Sequence, residues 1–85
     1  MSETPQARIK RLKMRSMRRG IKEMDLILSA YAERNLAAMT EDQLSLYDAL
    51  LGENDQDLYQ WVTGQVPAPE TYVELIHDIS QTFQK

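Results

Sequence analysis

Thirteen carboxylates, one histidine and no cysteine are the residues of this 85-residue chain that could do chemistry. Their spacing argues against catalysis. General acid–base work needs titratable groups converging on one reacting centre, yet the carboxylates fall at expected helix starts and on expected solvent faces. His77 stands alone, four residues after Val73 and beside Ile76, and reads as a surface or half-buried helix residue rather than a base or metal ligand. The glycines are Gly20, Gly52 and Gly64, so neither a GxGxxG nor a GxxxxGK(S/T) phosphate loop can be written. The absence of cysteine removes disulfides, thiol nucleophiles and Cys-ligated zinc. The chain therefore reads as a protein that is not an enzyme, with no catalytic residue and no metal site.

Binding chemistry is the alternative, and the charges point to it. Up to Lys22 there are eight basic residues (Arg8, Lys10, Arg11, Lys13, Arg15, Arg18, Arg19, Lys22) against Glu3 alone, a local charge of +7. From Glu23 onward two basic residues face twelve acidic ones, giving −10. A basic segment of this kind can seek nucleic acid, but it holds no aromatic residue for base stacking, and only Gln6 could read a base edge. The acidic body of the chain is its nearest competitor for the positive charge.

Two denser clusters stand out. In Arg18-Arg19-Gly20-Ile21-Lys22-Glu23, a glycine sits between two amphipathic stretches, where it costs about 1 kcal/mol against a helix former. One reading is structural: Gly20 ends a helix in the left-handed conformation, and Arg19 with Glu23 makes a surface ion pair. The other is functional: Gly20 admits the backbone of a partner between two oppositely charged anchors. The residues alone favour the structural reading. The second cluster, Asp55-Gln56-Asp57-Leu58-Tyr59-Gln60-Trp61, is expected to be structural, with aspartates at a helix start and Leu58 and Trp61 filling the core. Met14, Met17 and Met24 are likewise expected to fill space between helices.

The elements that must position these residues are helices. No period-2 alternation or hairpin dipeptide is present. A first helix is expected over about Gln6 to Arg18, with Ile9, Leu12 and Ser16 on one face and Met14 and Met17 close by, and a second over Ile21 to Arg34, with Ile21, Met24, Ile27, Leu28 and Tyr31 inward. Asn35 can close the second helix. Thr40 with Gln43 forms a capping-box pattern opening a third, which buries Leu44, Tyr47, Leu50 and Leu51 and stops at Gly52. A short fourth helix starts at Asn54 or Asp55 and ends by Gly64. A fifth runs from about Pro69 to Phe83 with Tyr72, Val73, Ile76, Ile79 and Phe83 inward. The fold class is all-α, a small compact bundle of about five short helices in one domain, residues 1–85, with disordered tails at 1–5 and 84–85. About 60% of the surface of so short a chain is buried on folding. No apolar run approaches the roughly 20 residues of a membrane span, and the N-terminus lacks an apolar leader core, so an intracellular, soluble protein is expected. The Arg-rich start resembles a mitochondrial transit peptide in composition, but it flows unbroken into the next amphipathic segment.

The order RRGIKEMDLIL (Arg18 to Leu28), LSLYDALL (Leu44 to Leu51) and DQDLYQWVTG (Asp55 to Gly64), followed by a short helix after Pro67 and Pro69, resembles the SdhE/YgfY family of flavinylation factors. The resemblance spans roughly Met14 to Asp78, with Met24 and Tyr47 standing where leucine and phenylalanine are usual. It implies a chaperone that binds the flavoprotein subunit of succinate dehydrogenase, or of fumarate reductase, and promotes covalent attachment of FAD to it. By the same resemblance Arg19, Gly20 and Glu23 match the RGxxE positions, with Arg18 flanking, and form the partner-binding surface. FAD then belongs to the client, with no cofactor bound stably by this chain. A monomer in the bacterial cytoplasm is implied, with no nucleic acid bound and no membrane insertion. The alternative is a small antitoxin-like or nucleic-acid-binding helical regulator.

Overall fold

Thr4 and Pro5 begin the first helix earlier than the tail assignment allows. In the computed structural model, which describes residues 3–83, the Thr4 hydroxyl accepts the Ala7 N–H at 3.1 Å and Pro5 takes the first helical position. Proline is suited there because its missing N–H would have no partner in any case. Of the expected tails, residues 1, 2, 84 and 85 lie outside the described residues, whereas 3–5 are tied to α1 (Pro5–Arg15).

The remaining helices are α2 (Lys22–Asn35), α3 (Glu41–Leu51), α4 (Asp55–Val62) and α5 (Val73–Phe83), with 3-10 turns at Leu36–Ala38 and Glu70–Tyr72. No strand occurs among the described residues, and the fold is all-α. α1 stops at Arg15 rather than Arg18. Ser16 is fully buried, its hydroxyl donating to the Leu12 carbonyl at 2.8 Å and lying 2.6 Å from the Tyr47 hydroxyl. Two residues later Arg18 turns left-handed, with φ of 56°, which no helix can continue. The expected capping box is present: Thr40 accepts from Gln43 N at 3.2 Å, and the Gln43 side chain accepts from Thr40 N at 2.9 Å. Gly64, with φ of 82°, ends α4 as a left-handed glycine should.

α2 is the central element, packing against α1, α4 and α5. Its Met24, Ile27, Leu28, Tyr31 and Ala32 meet Leu12 of α1, Leu44, Tyr47, Leu50 and Leu51 of α3, Leu58 and Val62 of α4, and Leu75, Ile76 and Ile79 of α5 in one apolar cluster. The Tyr31 and Tyr47 rings lie at the middle of it, 5.7 Å apart. Their hydroxyls leave in different directions, Tyr47 toward Ser16 and Tyr31 donating to Asp78 Oδ2 at 2.7 Å. Buried aromatic bodies with satisfied polar tips fix both helix pairs.

Three core expectations differ. Trp61 is half-buried, stacked on Tyr72 with ring centroids 6.1 Å apart at the edge of the cluster, while Leu58 is the fully buried anchor of α4. Val73 and Phe83 are 47% and 44% exposed; Leu75 takes the inward place beside Ile76 and Ile79. Met14 and Met17 are exposed rather than packed between helices.

Candidate functional site

Between Arg15 and Lys22 the chain has left one helix and not yet entered the next, and long-range bonds hold it. Arg19 is the main one. Its guanidinium donates from Nε to Asp55 Oδ1 at 2.8 Å, from Nη1 to the Arg15 carbonyl at 2.9 Å and from Nη2 to the Leu51 carbonyl at 3.1 Å. Arg15 and Leu51 are the last residues of α1 and α3, and Asp55 is the first of α4. A cation thus closes two helix C-termini while its carboxylate partner sits at a helix N-terminus, the arrangement that helix dipoles favour at every end.

Gly20 belongs to the same cluster. Its N–H donates to Asp55 Oδ2 at 2.6 Å, so one carboxylate grips the Arg19 side chain with one oxygen and the Gly20 backbone with the other. Gly20 is not left-handed; that conformation belongs to Arg18. A Cβ at position 20 would meet Asp55 Oδ2 at 3.2 Å, so the glycine admits a neighbour from its own chain. This corrects the expectation that Gly20 ends a helix in the left-handed conformation. Arg19 and Glu23 do not pair with each other: Arg19 is turned inward, its side chain 12% exposed, and Glu23 is exposed in the first turn of α2.

Of the four expected partner-binding residues, Arg18, Gly20 and Glu23 therefore lie on the surface and Arg19 lies beneath it. The Arg18 N–H is held by Asp25 Oδ2 at 2.9 Å, and its side chain is exposed. Exposed apolar side chains surround the junction: Met14 in the last turn of α1 and Met17 in the connection, both expected between helices, are 63% and 45% exposed, and Leu26 in the second turn of α2, for which no place was expected, is 63% exposed. The signal for Leu26 was available in its position, out of phase with Met24, Ile27 and Leu28.

Arg8, Arg11, Lys13 and Arg15 of the basic segment lie on the chain's own acids, Arg8 at 3.8 Å from Glu41. Asp48 receives Arg11 at 3.0 Å and also Arg15, Arg8 donates to Ser45 at 2.8 Å, and Lys13 pairs with Glu33 at 3.6 Å. Hydrogen bonding from Arg11 holds the Asp48 carboxyl below the usual carboxylate range. Burial pushes the Tyr47 hydroxyl up to about 12. An open groove of about 730 Å³ lies at the far end of α2 against α5 and contains none of the four residues. His77 is exposed on its rim. Among the described residues no three histidines or carboxylates are grouped to hold a metal, and no helix is long and apolar enough to cross a membrane.

Residues 10–83 match a family model described as the flavinator of succinate dehydrogenase. Among curated proteins, the chain is 41% identical over 83 residues to a mitochondrial succinate dehydrogenase assembly factor 2 of Candida glabrata, covering 88% of this chain and 54% of that one. Its counterpart in Danio rerio is 41% identical over 78 residues, covering 89% and 49%. That of Meyerozyma guilliermondii is 44% identical over 86 residues, covering 98% and 62%. The chain thus spans about half to two thirds the length of these relatives. They are eukaryotic and named mitochondrial, which overturns the expectation of a bacterial cytoplasmic protein.

Proposed function

The chain belongs to the family of succinate dehydrogenase flavinators, assembly factors and not enzymes by their description, and from that premise we propose that it acts as a chaperone of flavinylation. It binds the flavoprotein subunit of succinate dehydrogenase through the exposed side of the α1–α2 junction and promotes covalent attachment of FAD to that subunit. The flavin and the bond-forming chemistry belong to the client. This chain contributes binding and orientation, which suffice for a large acceleration when reacting groups are already present in the partner.

One observation supports the location. Three large apolar side chains, Met14, Met17 and Leu26, are exposed around one short connection that also presents Arg18, Gly20 and Glu23. Exposed apolar groups rimmed by charges mark interaction surfaces, and methionine suits an adaptable one. The neutralisation of Arg11, Arg15 and Lys13 by Asp48 and Glu33 removes much of the cationic surface that a nucleic-acid reading requires.

The test combines the chain, the apo flavoprotein subunit and FAD, and follows covalent flavin by in-gel fluorescence. The double variant Met17→Asp/Leu26→Asp should melt within a few degrees of the parent, since exposed substitutions shift stability by about 0.5 kcal/mol or less, yet flavinylate slowly. Parent-like flavinylation by that variant would remove this surface from the proposal. A parent chain that leaves flavinylation unchanged would overturn the function itself.

A further inference from the structure

We infer that Asp55 is a positioning residue for the partner-binding surface: its carboxylate, reaching across from the start of α4, sets the shape of the segment around Gly20 that the client meets. The inference rests on the partner-binding reading above and adds a residue to it that touches no client atom.

The segment from Met17 to Ile21 lies between two helices and depends on side chains for its shape. Of its N–H groups, that of Arg18 goes to Asp25 Oδ2 at 2.9 Å and that of Gly20 to Asp55 Oδ2 at 2.6 Å. Both acceptors are carboxylates, and such charge-assisted bonds are roughly twice as strong as neutral ones. Asp25 is close in the chain and moves with α2. Asp55 is 35 residues from Gly20, on a helix pinned by buried Leu58 and Val62, so it alone fixes the segment relative to α4. Its other oxygen holds Arg19, whose remaining nitrogens close α1 and α3. Loss of the Asp55 carboxylate frees the Gly20 N–H and leaves Arg19 without its counter-charge, while every residue of the apolar cluster keeps its place. The 3.2 Å approach of Oδ2 to the Cβ position of residue 20 means that a side chain there would press on the carboxylate and force it to shift. The glycine of one motif and the first aspartate of the other thus act as a unit.

A binding segment released from its competent shape binds more weakly by the fraction of time it spends there, so a competent fraction of one tenth raises Kd tenfold. The experiment measures Kd of the purified chain for the apo flavoprotein subunit, at a temperature where circular dichroism shows each variant folded. Asp55→Ala should raise Kd about tenfold and shift the Gly20 amide proton resonance with faster exchange. Asp55→Asn, which keeps an acceptor oxygen but not the charge, should fall between it and the parent. Asp48→Asn, which breaks the Arg11 and Arg15 pairs away from Gly20, should lower the melting temperature and leave Kd unchanged. Parent-like Kd in both Asp55 variants overturns the inference, and so does an equal rise in Asp48→Asn, because the effect would then follow stability alone. If Asp55→Ala does not fold, Asp55→Asn decides by the same criterion. A parent chain with no measurable affinity would overturn the partner-binding reading itself.

Discussion

Arg19 and Asp55, 36 residues apart in sequence, form the most enclosed ion pair among the described residues, with Nη2 2.7 Å from Oδ1 and side chains 12% and 16% exposed. Removing one partner of such a pair leaves the other charge and two helix-terminal carbonyls without compensation. Arg19→Ala should cost about 3 kcal/mol, read as a fall in melting temperature of roughly 10 °C or more for a domain this small. Arg19→Lys should recover only part of it, since a single ammonium cannot span Asp55 and both carbonyls. A loss below about 1 kcal/mol in thermal melting would put the pair in the class of exposed bridges.

Gly20→Arg should combine two effects. Its Cβ crowds the Asp55 carboxylate at 3.2 Å, and its side chain enters the proposed client surface. Far-UV circular dichroism should stay helical, because none of the apolar cluster is touched. The melting temperature should drop by several degrees, in proportion to about 1 kcal/mol. In-gel fluorescence of the client should be lost. Normal flavin attachment by a folded Gly20→Arg variant would move the site elsewhere.

The acid limb of stability should depend on Asp48. Its carboxyl lies below the usual range in the folded chain through the hydrogen bond from Arg11. A depressed folded pKa means that the contribution is complete above the unfolded value of about 4 and is lost as pH falls through the folded one. Chemical denaturation between pH 7 and pH 2 should therefore show stability declining below about pH 4. Asp48→Asn should be less stable at pH 7 and lose less on acidification. An equal acid slope in parent and variant would exclude Asp48 as the source.

Leu58 and Trp61 should separate in size of effect. Leu58 is fully buried, so Leu58→Ala should cost about 2–5 kcal/mol by cavity formation. Trp61 lies half-buried on Tyr72, and Trp61→Ala should cost less, about 2 kcal/mol, from lost stacking and partial burial. Urea denaturation of the two variants checks the order. A costlier Trp61→Ala would place the core's weight at the α4–α5 edge.

Local patterns in the chain carried much of the fold. The Thr40–Gln43 box closes over three residues, so neighbours in sequence suffice to specify it. The stripe Met24, Ile27, Leu28, Tyr31 repeats at helical spacing and lies inward as expected. Where a helix offers few apolar residues, periodicity weakens. α1 is cationic on most sides: spacing set Ile9, Leu12 and Ser16 on one face, of which Leu12 and Ser16 are buried, but could not say that Met14 and Met17 face out.

The residues of the candidate site were legible as a motif, through resemblance, but their division of labour was not. Charge and glycine in Arg18 to Glu23 mark a segment that needs a special partner, and the sequence alone offers either Glu23 or another protein. Tertiary structure decided for Asp55, because a carboxylate 35 residues away comes within 2.6 Å of the Gly20 N–H only once α2 and α4 have packed. Helical periodicity and caps are set by bonds three or four residues long and can be read along the chain. Which arginine turns inward and which methionine stays exposed depends on how helices close around a shared core, a relation no local spacing records.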